Sequence, residues 1–178
     1  MKRSIIDLTI LGFIEREPLS AYDLANLLEK NDLQMMVKIS KPAVYKNVQR
    51  LLERGYLEGR ITKTKRWPEK RICSMTARGR DYFRELMAHF AAQPVRYQFD
   101  LHAVALFLPQ LPREESEPLL AIMRTGLDEQ RRSLERLGAQ RDAAAESSRA
   151  VSQLQQQLNE TLVKWARKFG GELQSERS

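Results

Sequence analysis

Apart from its cations, this chain holds few side chains able to do chemistry. Its two histidines, His89 and His102, lack the spacing of metal ligands. The single Cys73 falls on an expected strand with no histidine near it to serve as base, so no cysteine nucleophile is indicated. Glu114, Glu115 and Glu117 open an expected helix, where carboxylates complement the positive end of the dipole. No glycine loop able to cradle a phosphate is present. No catalytic residue, metal or cofactor is therefore expected. The cations are a different matter. The chain carries 30 Lys and Arg against 23 Asp and Glu, a formal charge of +7. Met1–Arg80 holds 17 basic and 9 acidic residues, and Asp81–Ser178 holds 13 and 14. Within Lys38–Arg80 the count is 13 against 3, or +10. A local excess of this kind is a footprint for a polyanion, either nucleic acid or an anionic membrane. A plain solvated basic surface is the alternative.

At 178 residues and 20.7 kDa the chain suits one or two small domains. One cysteine excludes an internal disulfide and fits a reducing cytoplasm. Lys2-Arg3 before Ile5–Ile14 has the outline of a secretion signal. Asp7 interrupts the apolar run, however, and Glu15-Arg16-Glu17 follows it without a small-residue cleavage site. No stretch approaches the roughly 20 apolar residues of a membrane span. A soluble cytoplasmic protein with no membrane partner is expected.

Which elements would position the cations? Ser4–Glu15 is apolar on most sides and reads as a helix that is buried or shared with a partner chain. Glu17-Pro18-Leu19 breaks it. Ser20 then caps a second helix, with Asp23 three residues on and Leu24, Leu27 and Leu28 as its buried stripe. Ser40 caps a third helix with Pro42 in the first turn. Val44, Val48, Leu51 and Leu52 form its buried face, Ala43, Lys46, Gln49 and Arg50 lie opposite, and Gly55 ends it. Two short strands follow, with Leu57 and Ile61 alternating in the first and Cys73 and Met75 in the second. Lys63–Arg71 lies between them as a turn carrying Lys63, Lys65, Arg66, Lys70 and Arg71. Thr76 caps a fourth helix to about Ala92, and Pro94 marks a boundary.

Helix, helix, helix, strand, basic turn, strand is the layout of a winged helix-turn-helix. Duplex DNA presents a dense line of phosphates and a major groove wide enough for one helix. The reading helix must be amphipathic, and Ser40–Arg54 is. Its first turn aims free N–H groups at a phosphate. The exposed positions Lys41, Ala43, Tyr45 and Lys46 are assigned to base readout. Tyr22, Ser40, Lys63, Lys65, Arg66 and Lys70 are assigned to phosphate. Arg50 joins the DNA-facing set, with a salt bridge to Glu53 or Glu58 as its alternative. Trp67 belongs either to the wing tip or beneath the wing.

Beyond Pro94, Phe99–Leu108 reads as a short apolar helix, and Arg113–Phe169 as helix with a break near Gly138–Ser148. Leu119, Met123, Leu127, Leu134 and Leu137 follow heptad spacing, and Val151, Leu154, Leu158, Leu162, Trp165 and Phe169 repeat it. Such rows form an antiparallel hairpin or close against a second chain. The expected architecture is mainly α: a winged helix-turn-helix over residues 1–92 and an all-helical, coiled-coil-like dimerisation domain over 93–178.

Three motifs in order resemble the PadR family of transcriptional regulators. "SAYDL" (Ser20–Leu24) is similar to the opening of that family's second helix. "ISKPAVYKNVQRLLERGYLEG" (Ile39–Gly59) is similar to its reading helix and first strand, and "RICSMTARGR" (Arg71–Arg80) to its close. Ala21 stands where the family usually has Gly, "NDLQMMV" (Asn31–Val37) is longer than a minimal turn, and Cys73 replaces a frequent aromatic. The second half resembles the helical C-terminal domain of longer relatives, which include virulence activators. The resemblance implies a homodimer on an inverted-repeat operator of double-stranded DNA, acting as repressor or activator. It also implies a small-molecule effector, often a phenolic or other aromatic compound, that loosens DNA binding. Tyr97, Phe99 and Phe107 are candidates to line its pocket, with ordinary core packing as the alternative. The rival reading is a coiled-coil interaction module whose winged fold serves protein contacts.

Overall fold

The computed structural model describes residues 3–30, 39–64, 67–95, 98–140 and 146–175, with only the backbone at 30, 63, 64, 67–69, 139, 140 and 174. The chain forms two compact units, Met1–Val95 and Arg96–Ser178.

The first unit holds α1 (Ile5–Arg16), α2 (Ala21–Lys30), α3 (Lys41–Glu53), β1 (Leu57–Thr64), β2 (Trp67–Met75) and α4 (Ala77–Ala91). Each helix start has a side chain that takes up an otherwise orphaned N–H. Ser4 accepts from Ile6 N at 3.2 Å, Ser20 from Asp23 N at 3.1 Å, and Thr76 from Gly79 N at 3.0 Å. Ser40 does the same for Ala43 N at 3.4 Å. Gly55, at φ 70°, turns the chain out of α3, a conformation that costs other L-residues more. Ile10, Leu11 and Ile14 of α1, Leu24 and Leu28 of α2, and Val44, Val48 and Leu51 of α3 share one core with Leu57, Cys73, Met75, Tyr82 and Leu86.

The hairpin is longer than the sequence suggests. β1 and β2 pair antiparallel from Leu57↔Met75 through Ile61↔Arg71 and Thr62↔Lys70. The expected turn Lys63–Arg71 is therefore mostly strand. A two-stranded ribbon can keep long basic side chains in water on both faces, so charge alone does not end it. Leu19 adds a bridge on the other edge of β2, exchanging backbone bonds with Cys73 at 2.9 and 3.2 Å. Ile61, expected to turn inward, is 56% exposed because the ribbon has passed the helical core at that point.

One core position of α1 is ionic. Asp7 lies one turn before Ile10, Leu11 and Ile14, and is 2% exposed. Arg50 of α3 donates to its Oδ1 at 2.5 Å, and the Tyr82 hydroxyl of α4 donates to Oδ2 at 3.3 Å. Tyr82 stacks on Tyr56, with centroids 4.4 Å apart. Three helices thus meet on one carboxylate.

The second unit holds α5 (Leu101–Phe107), a 3-10 turn (Leu108–Gln110), α6 (Arg113–Gln140) and α7 (Glu146–Ser175). α6 and α7 form an antiparallel hairpin. Gln156 Nε2 donates to Leu134 O at 3.3 Å, Asn159 Nδ2 to Leu127 O at 3.4 Å, and Arg124 Nε to Ala166 O at 3.5 Å. Gly170 lets Arg124 lie flat on α7: a Cβ there would stand 2.0 Å from the guanidinium and 2.6 Å from Leu120 Cδ2. The α7 face that closes this seam consists of Ser152, Asn159, Val163, Ala166, Gly170 and Leu173, all buried. The larger row expected to pack, Val151 to Phe169, is split: Leu162 and Phe169 pack beside that seam, while Val151, Leu154 and Trp165 turn outward. Val151 is 41%, Leu154 52% and Trp165 37% exposed. Heptad spacing reveals that rows exist, but small residues win the intramolecular seam because they admit closer backbone approach.

The ionic centre yields two expected outcomes. Arg50→Ala strands a buried carboxylate and costs about 3–5 kcal/mol. Asp7→Asn frees a guanidinium that is already 38% exposed and can turn to water, so it costs only about 1–2 kcal/mol. Urea unfolding followed by circular dichroism ranks the two, and equal costs would contradict the assignment of Asp7 as the desolvated partner. Burial, then the Asp7 charge, pushes the Tyr82 phenol from 10.0 up to about 12. The folded state holds that proton more tightly than the unfolded chain, so its contribution is full below pH 10 and is lost between about pH 10 and 12. The stability difference between wild type and Tyr82→Phe should shrink across that window. A pH-independent difference would rule the coupling out.

Candidate nucleic-acid interface

α3 turns its apolar positions inward and leaves Lys41, Tyr45, Lys46 and Gln49 exposed on one side. Asn47, on the buried face at 8% exposure, is satisfied locally by donating to Ala43 O at 2.6 Å. Tyr45 is 45% exposed and Tyr22, on the first turn of α2, is 61% exposed. Both tyrosines lie within electrostatic reach of Lys41. The Glu29 carboxylate, and more weakly the two phenol oxygens, raise the Lys41 ammonium above the ordinary lysine range. Tyr22, Ser40, Lys41 and Tyr45 thus gather at the start of α3. Lys46 is exposed, and no ion pair to it occurs among the described residues. Ala43 is only half open and packs against the core.

Between α3 and the ribbon runs an open cleft of about 350 Å³, lined by Ala21, Tyr45, Val48, Gln49, Leu52, Ile61, Arg71 and Cys73. Its floor is apolar and its rim carries Gln49 and Arg71. Burial pushes the Cys73 thiol up, away from the reactive thiolate.

Three of the expected DNA-facing cations already hold carboxylates. Lys70 Nζ lies 2.6 and 2.5 Å from the two oxygens of Asp23. Burial pushes the Asp23 carboxyl up, but Lys70 and the Ser20 hydroxyl and amide outweigh it and hold the group below its usual range. Lys41 Nζ is 2.7 Å from Glu29. Arg50 turns away from the exposed row to Asp7, and pairs with neither Glu53 nor Glu58. Asp7 was the residue to notice. It shares the spacing of Ile10, Leu11 and Ile14, so it falls on the buried stripe and needs a cation. Glu29 carries no comparable signal, because its partner belongs to another helix.

Lys65, Arg66 and Tyr97 lie outside the described residues, as do the side chains of Lys63 and Trp67. Phe99 and Phe107 belong to the second unit, 37% and 55% exposed, and Phe99 meets His102 edge-on at 5.3 Å. Among the described residues no group of three His, Cys, Asp or Glu is placed to hold a metal ion. No described helix is long and apolar enough to cross a membrane.

Residues 10–85 match the model of the transcriptional regulator PadR-like family. No curated protein matches the chain in sequence. Among solved structures it is similar to Bacillus subtilis PadR in complex with operator DNA, with a TM-score of 0.84 at 16% identity, covering 96% of this chain and 99% of that one. The same protein in complex with p-coumaric acid gives 0.78 at 16% identity, covering 97% and 99%. The Vibrio cholerae virulence activator AphA gives 0.68 at 15% identity, covering 96% and 99%. At such identities the likeness is one of fold. The family match spans 76 of the 178 residues, from the first helix through the hairpin into α4.

Proposed function

We propose that this chain is a sequence-specific DNA-binding transcription regulator that works as a homodimer on an inverted-repeat operator. The observation that carries the reading is the exposed row Lys41, Tyr45, Lys46 and Gln49 on an anchored, amphipathic helix beside a basic ribbon. In this reading α3 enters the major groove, with Tyr45 and Lys46 at base edges. Tyr22 and the ribbon cations then position the phosphates. Residues 1–92 form the DNA-binding domain. Arg50 serves by orienting α3 rather than by touching DNA.

The outward row Val151, Leu154 and Trp165 of α7, with Ile122 of α6 at 67% exposure, supports pairing of two copies through residues 93–178. Repression by promoter occupancy is the simplest action, and a cytoplasmic location follows from the need to reach the chromosome. The p-coumaric acid complex of the Bacillus relative supports a small aromatic effector that releases the operator. Phe99 and Phe107 are its candidate contacts.

A duplex from the promoter beside the gene should bind with affinity that falls roughly 10³-fold between 50 and 200 mM salt, if about six phosphates are met. Salt-independent binding would favour the protein-contact reading instead. Lys46→Ala should weaken that duplex about 5–150-fold and a random duplex much less. An equal loss on both would remove Lys46 from base readout. Leu154→Asp should convert the dimer to the 20.7 kDa monomer in sedimentation equilibrium and weaken operator binding with it. A wild type that sediments as a monomer at micromolar concentration would remove the dimer from this reading.

A further inference from the structure

Two cations of the proposed interface are held by carboxylates of a single neighbouring helix. Glu29, near the end of α2, sits 2.7 Å from Lys41 at the start of α3. Asp23, in the first turn of α2, grips Lys70 of β2 through both oxygens, at 2.5 and 2.6 Å. Neither pair is buried. The side chains of Lys41 and Glu29 are 45% and 57% exposed, and those of Lys70 and Asp23 are 42% and 31% exposed. Ion pairs this open contribute only about 0–1 kcal/mol to folding, so stability gains little from them.

Their consequence falls on the interface. A solvated lysine near DNA displaces a condensed counterion from a phosphate, and each such contact steepens the salt dependence by about 0.9 in log–log slope. A lysine whose charge is already met by a tethered carboxylate must give up that partner first. The displaced carboxylate does not diffuse away; it stays beside the phosphate as a like charge. The cost applies to any duplex in which Lys41 or Lys70 meets phosphate. It falls hardest on binding that has nothing but phosphate contacts to draw on.

We infer that Glu29 and Asp23 are tethered competitors of DNA phosphate, set on α2 to lower the sequence-independent affinity of the reading face. The inference rests on the DNA-binding reading above. It makes α2 an electrostatic governor of the interface as well as a support for α3. It assigns to two acidic residues a role in DNA binding that their charge alone would argue against.

The test is fluorescence anisotropy of the full-length protein on a random-sequence duplex, from 50 to 200 mM salt. Glu29→Gln should bind more tightly at 50 mM. Its salt slope should steepen by about 0.9, so that its advantage over wild type shrinks roughly threefold by 200 mM. In a Lys41→Ala background the same substitution should leave the salt slope unchanged and keep only a small part of the gain, that of removing a like charge. Asp23→Asn should act likewise through Lys70, with the amide oxygen still accepting the Ser20 hydroxyl. An unchanged affinity and slope in both variants, while wild type binds, overturns the inference and leaves the DNA reading standing. A gain and a steepening that survive Lys41→Ala undiminished are a general charge effect and also overturn it. Wild type that fails to bind the duplex at 50 mM overturns both.

Discussion

A carboxylate taken out of water must be met by a cation, and in this fold that requirement fixes α3. Asp7 occupies a position on α1 that an aliphatic residue would otherwise fill, and it is 2% exposed. The group that meets it comes from α3, 43 residues along the chain. Apolar rows such as Val44, Val48 and Leu51 tolerate small rotations of a helix about its axis, since one methyl replaces another against the core. An ion pair at 2.5 Å does not. Arg50 therefore pins the rotation of α3, and with it the direction in which Tyr45, Lys46 and Gln49 point. Tyr82 completes the site from α4, so the same carboxylate that orients α3 also ties it to the third helix of the core. Such a centre adds little net stability compared with a hydrophobic replacement, but it specifies one arrangement.

The parts of this fold that were legible in the sequence are those decided locally. Ser20, Ser40 and Thr76 announce helix starts, and Gly55 a stop, because capping is settled within a few residues. The exposed cluster Tyr22, Lys41, Tyr45 and Lys46 was legible for the same reason, being the side of an amphipathic helix that its own leucines and valines do not use. What escaped was pairing between distant segments. Nothing near Arg50 names Asp7, and nothing near Lys41 names Glu29. The extent of the ribbon escaped too, since Lys63–Arg71 has the composition of a loop, yet Thr64 pairs with Trp67 and Thr62 with Lys70 across a register shift.

The helical half shows a different limit. α7 carries two rows at heptad spacing. One is large and apolar, from Val151 to Phe169, and the other, from Ser152 to Leu173, mixes small, polar and apolar residues. Hydrophobicity points to the first as the seam, but the hairpin closes mainly on the second, with Leu162 and Phe169 of the first packed beside it. The seam needs Gly170 and Ala166 so that Arg124 and Leu120 can lie against the backbone of α7. A row of bulky residues would hold the helices apart. Val151, Leu154 and Trp165 of the larger row are then left exposed. The same helix thus carries one row that closes the hairpin and a second that is only partly used by it.

Charge counting is the last place where sequence and structure part company. The +10 of Lys38–Arg80 is a formal sum over that segment. The acidic residues that matter to it, Asp7, Asp23 and Glu29, lie outside the segment and enter its field only when the chain folds. Each neutralises one of the segment's cations at contact distance, the buried Asp7 pair being the least screened by salt. The field that a polyanion meets is therefore set by the cations left over, Lys46 foremost among those described, and by how readily Lys41 and Lys70 can be taken from their partners. An interface built this way is not simply a positive patch. It is a positive patch with its own anions already seated, so its strength depends as much on the acidic helix behind it as on the basic residues it presents.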